Sequence, residues 1–595
     1  MNIIEYYLRY ILVTTLSLLV IGCSSNYSEE AGSVEEVMNN VVTRLYSTLN
    51  EDELISLKQE NLLSYLDEKE IDILSKQHWS FKVNTPVVVS VMRSKRQEVI
   101  PFWLEKSGFV KTDLEAKNEN QTYEIWQKDF EAGNIELGIN GFENFTYHYF
   151  ISIKPQDVSK NLEIVSITPE NQFMTKLDNG AFTYHDWTEL VLEEVPESMK
   201  GEVLLTTIRG RGKESHLIGA FRKTKYPSTH IPDQVLLTWS SEPSSSIDIQ
   251  WRTNTTVVNG EVKYREVDSN EVMSVSAEKY VMEDRELMND RYSHRFTASI
   301  YNLKPGTKYL YLIEPETDWN NARHFTTAST SDSFSFTWFG DVHQKEEFGL
   351  LHNKAEADHP ETAFYIIAGD LVDDGLYRNQ WDELFENSKG IIDIKPLMNV
   401  PGNHDNRYGL GAKMYRDLFS YPTNGPDEVP KEQTYSFTYK NTLFLMLDAT
   451  SPVEKQASWI ENQLKDSDAK WKIAVFHFPP YNGEEPYLNI QEHWLPLFDE
   501  YKVDMVFSGH FHYYMRSKPI NDGAATDSFN KGTTYIISLG IPGRKVELYD
   551  EPYAAVTDQN GWLYQHIKID GKKLQYQSVS FNGNVIDRFE IDKEN

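Results

Sequence analysis

The stretch VFSGHFHYY, Val506 to Tyr514, runs from a short apolar segment into two histidines, His510 and His512. Alternate positions of an extended segment share one face, so both imidazoles can serve a metal. Two polar residues at a sheet edge would look the same. The rest of the chain separates these readings. Upstream, FSFTWFGDVH (334–343), AFYIIAGD (363–370), PLMNVPGNHD (396–405) and WKIAVFHFPP (471–480) are also compact apolar runs. They end in groups able to bind a metal: Asp341 and His343, Asp370, Asn403 with His404, and His477. Helix-patterned segments such as NQWDELFENSKG and VEKQASWIENQLKD separate several of them. Strands alternating with helices predict a layered α/β core, with functional groups gathered at strand ends. Gly340, Gly369, Gly402 and Gly509 stand just before such groups, where a residue without a side chain lets the backbone approach an ion.

Five such blocks, in this order over about 170 residues, resemble the calcineurin-like metallophosphoesterase superfamily, with the resemblance covering about residues 333–590. The resemblance implies a binuclear centre. Asp341, His343, Asp370 and His512 would hold one ion. Asp370, Asn403, His477 and His510 would hold the other, with Asp370 shared. Carboxylate, imidazole and amide donors without thiolate suit Zn, Mn or Fe, in divalent or mixed-valence pairs. Such a pair, about 3.5–4 Å apart, clamps phosphate oxygens and lowers the pKa of a water. His404 would face the substrate and assist the leaving oxygen, and Asp405 is expected to orient its imidazole or to be an ordinary loop carboxylate. Tyr481, Tyr513 and Tyr514 either line the pocket or pack. Arg407, Lys413 and Arg416, in the loop-rich segment after GNHD, either meet phosphate or form a solvated basic face.

Ahead of this domain, VLLTWSS, IDIQWRT, GEVKYREV and HRFTASIYNLKPGTKYLYLIEP read as about seven short strands, a β-sandwich pattern. LKPGTKYLY, Leu303 to Tyr311, resembles the tyrosine-corner segment of fibronectin type III domains. The block as a whole resembles the N-terminal domain of purple acid phosphatases. The metal motifs depart from that family. Asp373 stands where those enzymes carry the iron-ligating tyrosine, and His343 where they carry glycine. The D-x-H opening is instead similar to class III cyclic-nucleotide phosphodiesterases, so monoester and diester hydrolysis both stay open, the monoester reading slightly favoured. A surface binding protein on a metallophosphatase scaffold is the alternative of another class.

The expected fold is multidomain. A layered α/β metallophosphatase domain, a β-sandwich core flanked by helices, occupies 330–595. An all-β fibronectin type III-like sandwich (228–329) and an N-terminal α+β region (34–227) precede it. In that region Val34, Val37, Met38, Val41, Val42 and Leu45 recur at helical spacing. A second helical run follows Asn50, and strand-like runs such as TPVVVSVM, YHYFISIK, LVLEEV and EVLLTTIRG come after. No catalytic cluster is visible there, and the region reads as a spacer or packing domain, with a ligand-binding module as the alternative.

The formal charge of −32 over 595 residues excludes nucleic-acid wrapping, which needs a basic surface, and a phosphate substrate needs a local positive feature to overcome it. The chain's single cysteine, Cys23, follows the apolar run Ile11–Ile21. That run is short for a membrane span but suits a signal-peptide core, and VIGC resembles a bacterial lipobox. The resemblance implies a signal peptide over 1–22, lipid attachment at Cys23, a tether over 23–33, and export to the cell envelope, at the outer membrane or cell surface. A plain signal peptide or an N-terminal anchor would leave a similar pattern. The expected partners are a small phosphate ester and the membrane, the latter through the Cys23 anchor.

Overall fold

Residues 32–170, 172–185, 190–543 and 551–593 are described by the computed structural model of the protein, and the expected signal segment and Cys23 lie outside them. Val37, Met38, Val41, Val42 and Leu45 form the buried stripe of helix Val34–Thr48, which opens with a capping box at Ser33. The run after Asn50 is three short helices, Glu51–Ile55, Gln59–Leu63 and Glu68–Lys76. Asn50 and Asp67 each cap a fresh helix start with a side-chain oxygen, which breaks the run into pieces. These helices pack on strands. Val203–Thr206, Phe150–Pro155 and Val87–Ser94 are neighbours in a seven-stranded antiparallel sheet, while LVLEEV supplies only the edge strand Leu192–Glu194. After Thr206 the chain leaves the sheet for a buried 3₁₀ turn, Arg209–Lys213.

The next unit is a sandwich of two four-stranded antiparallel sheets. One contains Asp233–Thr238, Ile247–Thr253, Tyr292–Ile300 and Glu278–Glu283. The other contains Met273–Ser276, Glu261–Glu266, Lys308–Ile313 and Arg323–Thr326. Trp251 is buried in it against Phe296, while Trp239 is buried at its edge against Phe364, Phe437 and Tyr439 of the following domain. The Tyr309 hydroxyl accepts the Lys304 backbone N–H at 2.9 Å, the geometry of a tyrosine corner. One hydrophobic core runs on from this sandwich into the following domain. Arg252 crosses the junction to Asp382 at 2.7 Å, and the Tyr311 hydroxyl donates to the Asp393 carbonyl.

Residues 333 onward build two sheets laid face to face. The first orders Leu397–Val400, Tyr365–Ala368, Ser333–Phe339, Leu563–Asp570, Lys573–Ser580 and Val585–Asp592. The second orders Tyr435–Tyr439, Thr442–Met446, Trp471–Val475, Met505–Ser508, Thr534–Ile537, Tyr514–Ser517 and Ala554–Asp558. Phe336 and Trp338 on one sheet meet Phe444 and Phe507 on the other. Strands buried on both faces explain the unbroken apolar runs in the sequence. Helices Glu346–Asp358 and Arg378–Ser388 pack together beside the first sheet, and Ala457–Lys465, Leu488–His493 and Leu495–Glu500 share an apolar cluster with the second. Leu397–Val400, Tyr365–Ala368 and Ser333–Phe339 of the first sheet run parallel to one another, as do Thr442–Met446, Trp471–Val475 and Met505–Ser508 of the second, and the motif loops leave the C-terminal ends of these strands. There the sheets are tied by a parallel bridge between Asp341 and Leu539. Among the described residues, no helix is long and apolar enough to cross a membrane.

Candidate metal centre

The five motif loops leave these strand ends and turn toward one another. His343, Asp370 and His510 adopt left-handed φ values of 47°, 52° and 72°. L-residues rarely hold such a conformation unless the surrounding structure enforces it. Two of the glycines ahead of the motifs, Gly402 and Gly509, make room for carboxylates. A Cβ at Gly402 would lie 2.2 Å from Asp370 Oδ1, and one at Gly509 would lie 2.0 Å from Asp341 Oδ1. Sequence reasoning assigned these glycines to approach of an ion; their direct effect is to let two buried aspartates sit against backbone.

The ligand-type side chains converge in two groups, Asp341–His343–His512 and Asp370–His477–His510, each with its ligand atoms within 4.8 Å of one another. His512 Nε2 is 3.2 Å from Asp341 Oδ2 and 3.4 Å from His343 Nε2. His477 Nε2 is 3.2 Å from Asp370 Oδ2 and 3.0 Å from Asn403 Oδ1. Donors bound to one ion by bonds of about 2.1 Å stand roughly 3.0–3.4 Å apart, so these spacings are those of shared coordination. Asp370 Oδ2 faces both groups, at 3.2 Å from His477 and 3.9 Å from His343, while Oδ1 accepts the His404 N–H. The Asp341 carboxylate is fully buried with Oδ2 turned to His512 Nε2, and a buried anionic oxygen is stabilised by a cation or a proton beside it. Burial opposes charge on His477, yet the Asp370 and Asp341 carboxylates hold its imidazole up at about 9. The site thus attracts positive charge, and its donor set fits transition metals of the Zn, Mn and Fe class.

Backbone carbonyls and carboxylates set the imidazole orientations. His477 Nδ1 meets the Ala368 carbonyl at 2.9 Å, which turns Nε2 into the site. His343 Nδ1 faces Asp373 Oδ1 at 3.1 Å. Asp373 is itself held by Lys345 and by Gln344 Nε2 at 3.1 Å. The residue that departs from the purple enzymes therefore supports a neighbouring histidine.

His404 stands at the rim, its Nδ1 2.6 Å from the Asp373 carbonyl and its Nε2 4.0 Å from Asp370 Oδ2. The expected role of Asp405 as its orienting partner is corrected. The Asp405 carboxylate accepts backbone N–H groups of Gly402, Leu371 and Val372. It is buried and clamps the Asp370 loop to the GNHD loop, and burial with the nearby Asp370 charge pushes it up to about 7. A carboxylate next to His in sequence points away from it because the turn sends consecutive side chains in different directions.

Tyr513 and Tyr514 pack, with hydroxyls on the Asn482 carbonyl and Asp587, and Tyr481 lies against Tyr535 and Tyr553. Lys413 pairs with Asp417 and the Tyr280 hydroxyl of the sandwich. Arg416 lies near the half-buried Glu432. Arg407 folds back over Tyr408 toward Asp374. Sequence reasoning missed the contribution of the N-terminal region. Lys213 reaches Asp374 at 2.5 Å, Arg209 stacks on Tyr408, and Gly210 packs against Leu410. Nothing in the local pattern of TTIRGRGKESH signals such a contact, since its partners lie about 160–200 residues downstream.

Parts of the chain are similar to known proteins. A profile of the calcineurin-like phosphoesterase family matches residues 334–514, and one of the purple acid phosphatase N-terminal domain matches residues 232–327. An uncharacterized protein of Mycobacterium tuberculosis is 27% identical over 342 residues, covering 49% of this chain and 63% of that protein. A probable purple acid phosphatase of Arabidopsis thaliana is 27% identical over 263 residues, covering 40% of this chain and 58% of its own. The chain thus covers less than two thirds of the length of these relatives. The solved purple acid phosphatase from yellow lupin seeds matches with a TM-score of 0.52 at 15% identity, over 86% of this chain and 93% of its own. Coverage that wide extends the shared fold into the N-terminal region. The chain carries a calcineurin-like phosphoesterase domain behind a purple acid phosphatase N-terminal domain.

Proposed function

We propose that the protein is a binuclear metallophosphoesterase that hydrolyses small phosphate esters. The carrying observation is Asp370 Oδ2, one buried oxygen facing both groups of ligand-type side chains. Asp341, His343 and His512 would hold one ion and Asn403, His477 and His510 the other, with Asp370 common to both. When bound, the ions hold phosphate oxygens and make a water nucleophilic at neutral pH.

The chain's own groups do the rest. The Asp373 carbonyl accepts from His404 Nδ1–H, which leaves Nε2 directed at the rim of the site. From there the protonated imidazole can give a proton to the departing ester oxygen. The small phosphomonoester is the favoured substrate. The His343 side chain, grouped with Asp341 and His512, supports the diester reading because the D-x-H opening is shared with diesterases. We propose further that residues 1–22 direct export and that Cys23 carries a lipid anchor at the bacterial cell envelope. Fatty-acid labelling equal in wild type and Cys23→Ser would remove that anchor from the reading.

Metal analysis of the purified protein, with turnover on a panel of mono- and diesters, tests the reading. Two metal ions per chain and metal-dependent hydrolysis are expected. Metal-free protein without activity after Zn, Mn or Fe addition would point to the scaffold alternative.

A further inference from the structure

The run NTLFLMLDA, 441–449, leads like the motif strands into a group able to bind a metal, Asp448. Its strand, Thr442–Met446, runs parallel to the one that precedes His477. Yet Asp448 belongs to neither group of ligand-type side chains at the centre. Its oxygens are already taken. Oδ1 accepts the Thr450 N–H at 2.8 Å and the Thr450 hydroxyl at 2.5 Å. Oδ2 accepts the Ser451 hydroxyl at 2.6 Å and the Gln433 amide at 2.8 Å. A carboxylate offers about four acceptor positions, so this fully buried one has none left for an ion.

The direction of these bonds carries the network to the GNHD turn. An ionised carboxylate only accepts, so the Thr450 hydroxyl gives its proton to Asp448 and its oxygen is left to accept. Asn406 Nδ2 fills that position at 2.7 Å. The Asn406 amide has one orientation, because its Oδ1 accepts the Gly411 N–H at 2.6 Å. Asn406 is buried, and its own N–H closes the turn on the Gly402 carbonyl at 3.0 Å. The loop so closed contains Asn403 and His404.

The turn is thus held from two sides. Asp405 ties it to the Asp370 loop of the first sheet. Asn406, through Thr450, ties it to the strand end at Asp448 in the second sheet. A single tie leaves a turn free to pivot, whereas ties to both sheets fix it. His404 depends on this, since its ring is placed by one contact of Nδ1 with the Asp373 carbonyl on a different loop.

We infer that Asp448, Thr450 and Asn406 are positioning residues that hold the GNHD turn and so aim His404. The catalytic consequence rests on the hydrolase reading proposed above. A misplacement of about 1 Å at a reacting group can cost up to about 10²-fold in rate.

Thr450→Val keeps the side-chain shape and removes the hydroxyl, while Thr450→Ser keeps the hydroxyl. Crystals of the full-length Thr450→Val protein should show Asn406 turned away and His404 Nδ1 withdrawn from the Asp373 carbonyl, and Thr450→Ser should superpose on wild type. In kinetics, Thr450→Val should slow alkyl phosphates about 10-fold more than nitrophenyl phosphates with metal content unchanged, and Thr450→Ser should restore the wild-type ratio. Added to His404→Ala, Thr450→Val should not move that ratio further, because a residue acting through His404 then has nothing to aim. An unmoved GNHD turn in Thr450→Val, an unchanged ester ratio there, or a further change in the double variant would overturn the assignment. A turn displaced as expected, in a protein whose wild type hydrolyses no ester, would instead overturn the hydrolase reading and leave the clamp standing.

Discussion

Lys213 of the N-terminal region and Asp374, four residues beyond Asp370, form a buried ion pair of 2.5 Å. Asp374 also meets Arg407 at 3.1 Å, and the preceding residue, Asp373, supports both His343 and His404. A region that contributes none of the grouped ligand-type side chains among the described residues thus holds the loop that orients two site histidines. Removing one partner of a buried pair costs about 3–5 kcal/mol, and the remaining Arg407 contact places Lys213→Met at the lower end. That variant should melt earlier and turn over more slowly with metal content near wild type. Thermal scans and single-substrate kinetics check this; unchanged turnover would make Lys213 a packing residue only.

Asp370→Ala removes the one oxygen facing both groups. It should lose bound metal and at least about 10³ in turnover, while the chain stays folded, since the removed carboxylate belongs to a loop at the strand ends and not to the apolar core. Metal analysis and circular dichroism together read both parts. Full metal content with wild-type rates would defeat the shared-ligand assignment.

Asp373 acts on His343 through a 3.1 Å contact, and loss of such outer partners lowers metal affinity about 10–100-fold. Asp373→Ala should therefore need correspondingly more metal for half-maximal activity. A carboxylate also cannot supply phenolate-to-iron charge transfer, so the iron-loaded wild type should lack an intense visible band. Absorption spectra and metal titrations check these separately.

His404 presents Nε2 to the site while Nδ1 is committed to the Asp373 carbonyl. A nitrophenolate leaves with little protonation, whereas an alkoxide requires it. His404→Ala should slow alkyl esters more than nitrophenyl esters by about 10–10³ with metals retained. Equal losses on both would assign His404 to positioning.

Glu432 gives a pH signature away from the metals. Burial pushes its carboxyl from 4.5 up to about 7; Asp248 and Asp417 add to this, while the Tyr421 amide and Arg416 oppose it. The folded chain therefore binds more protons than the unfolded chain between these values, so this contribution is full below pH 4.5 and lost as pH rises through 7. Glu432→Gln should match wild type near pH 4.5 and be more stable at pH 8, by at most about 3 kcal/mol, less for the solvent that reaches this half-buried side chain. Melting temperatures across that range measure it.

The fold class and most of the metal centre were legible in the sequence because both rest on local signals. Doubly buried parallel strands leave continuous apolar runs, and each of the five loops carries its own ligand-type residues, four of them behind a glycine. The tyrosine corner likewise lies within LKPGTKYLY. Tertiary structure decided everything that depends on which distant groups meet. Asp405 follows His404 in sequence yet serves the backbone amides of Leu371 and Val372, 34 and 33 residues away, and Asp373 became the support of His343 only when two strand ends were brought side by side. Lys213 found Asp374 across 161 positions, and the rings of His359 and His566 stack across more than 200. Pattern and periodicity report a residue's own element and the face it occupies. They carry no term for what the facing element contributes, and at a buried site that contribution sets charge, orientation and the fit to an ion.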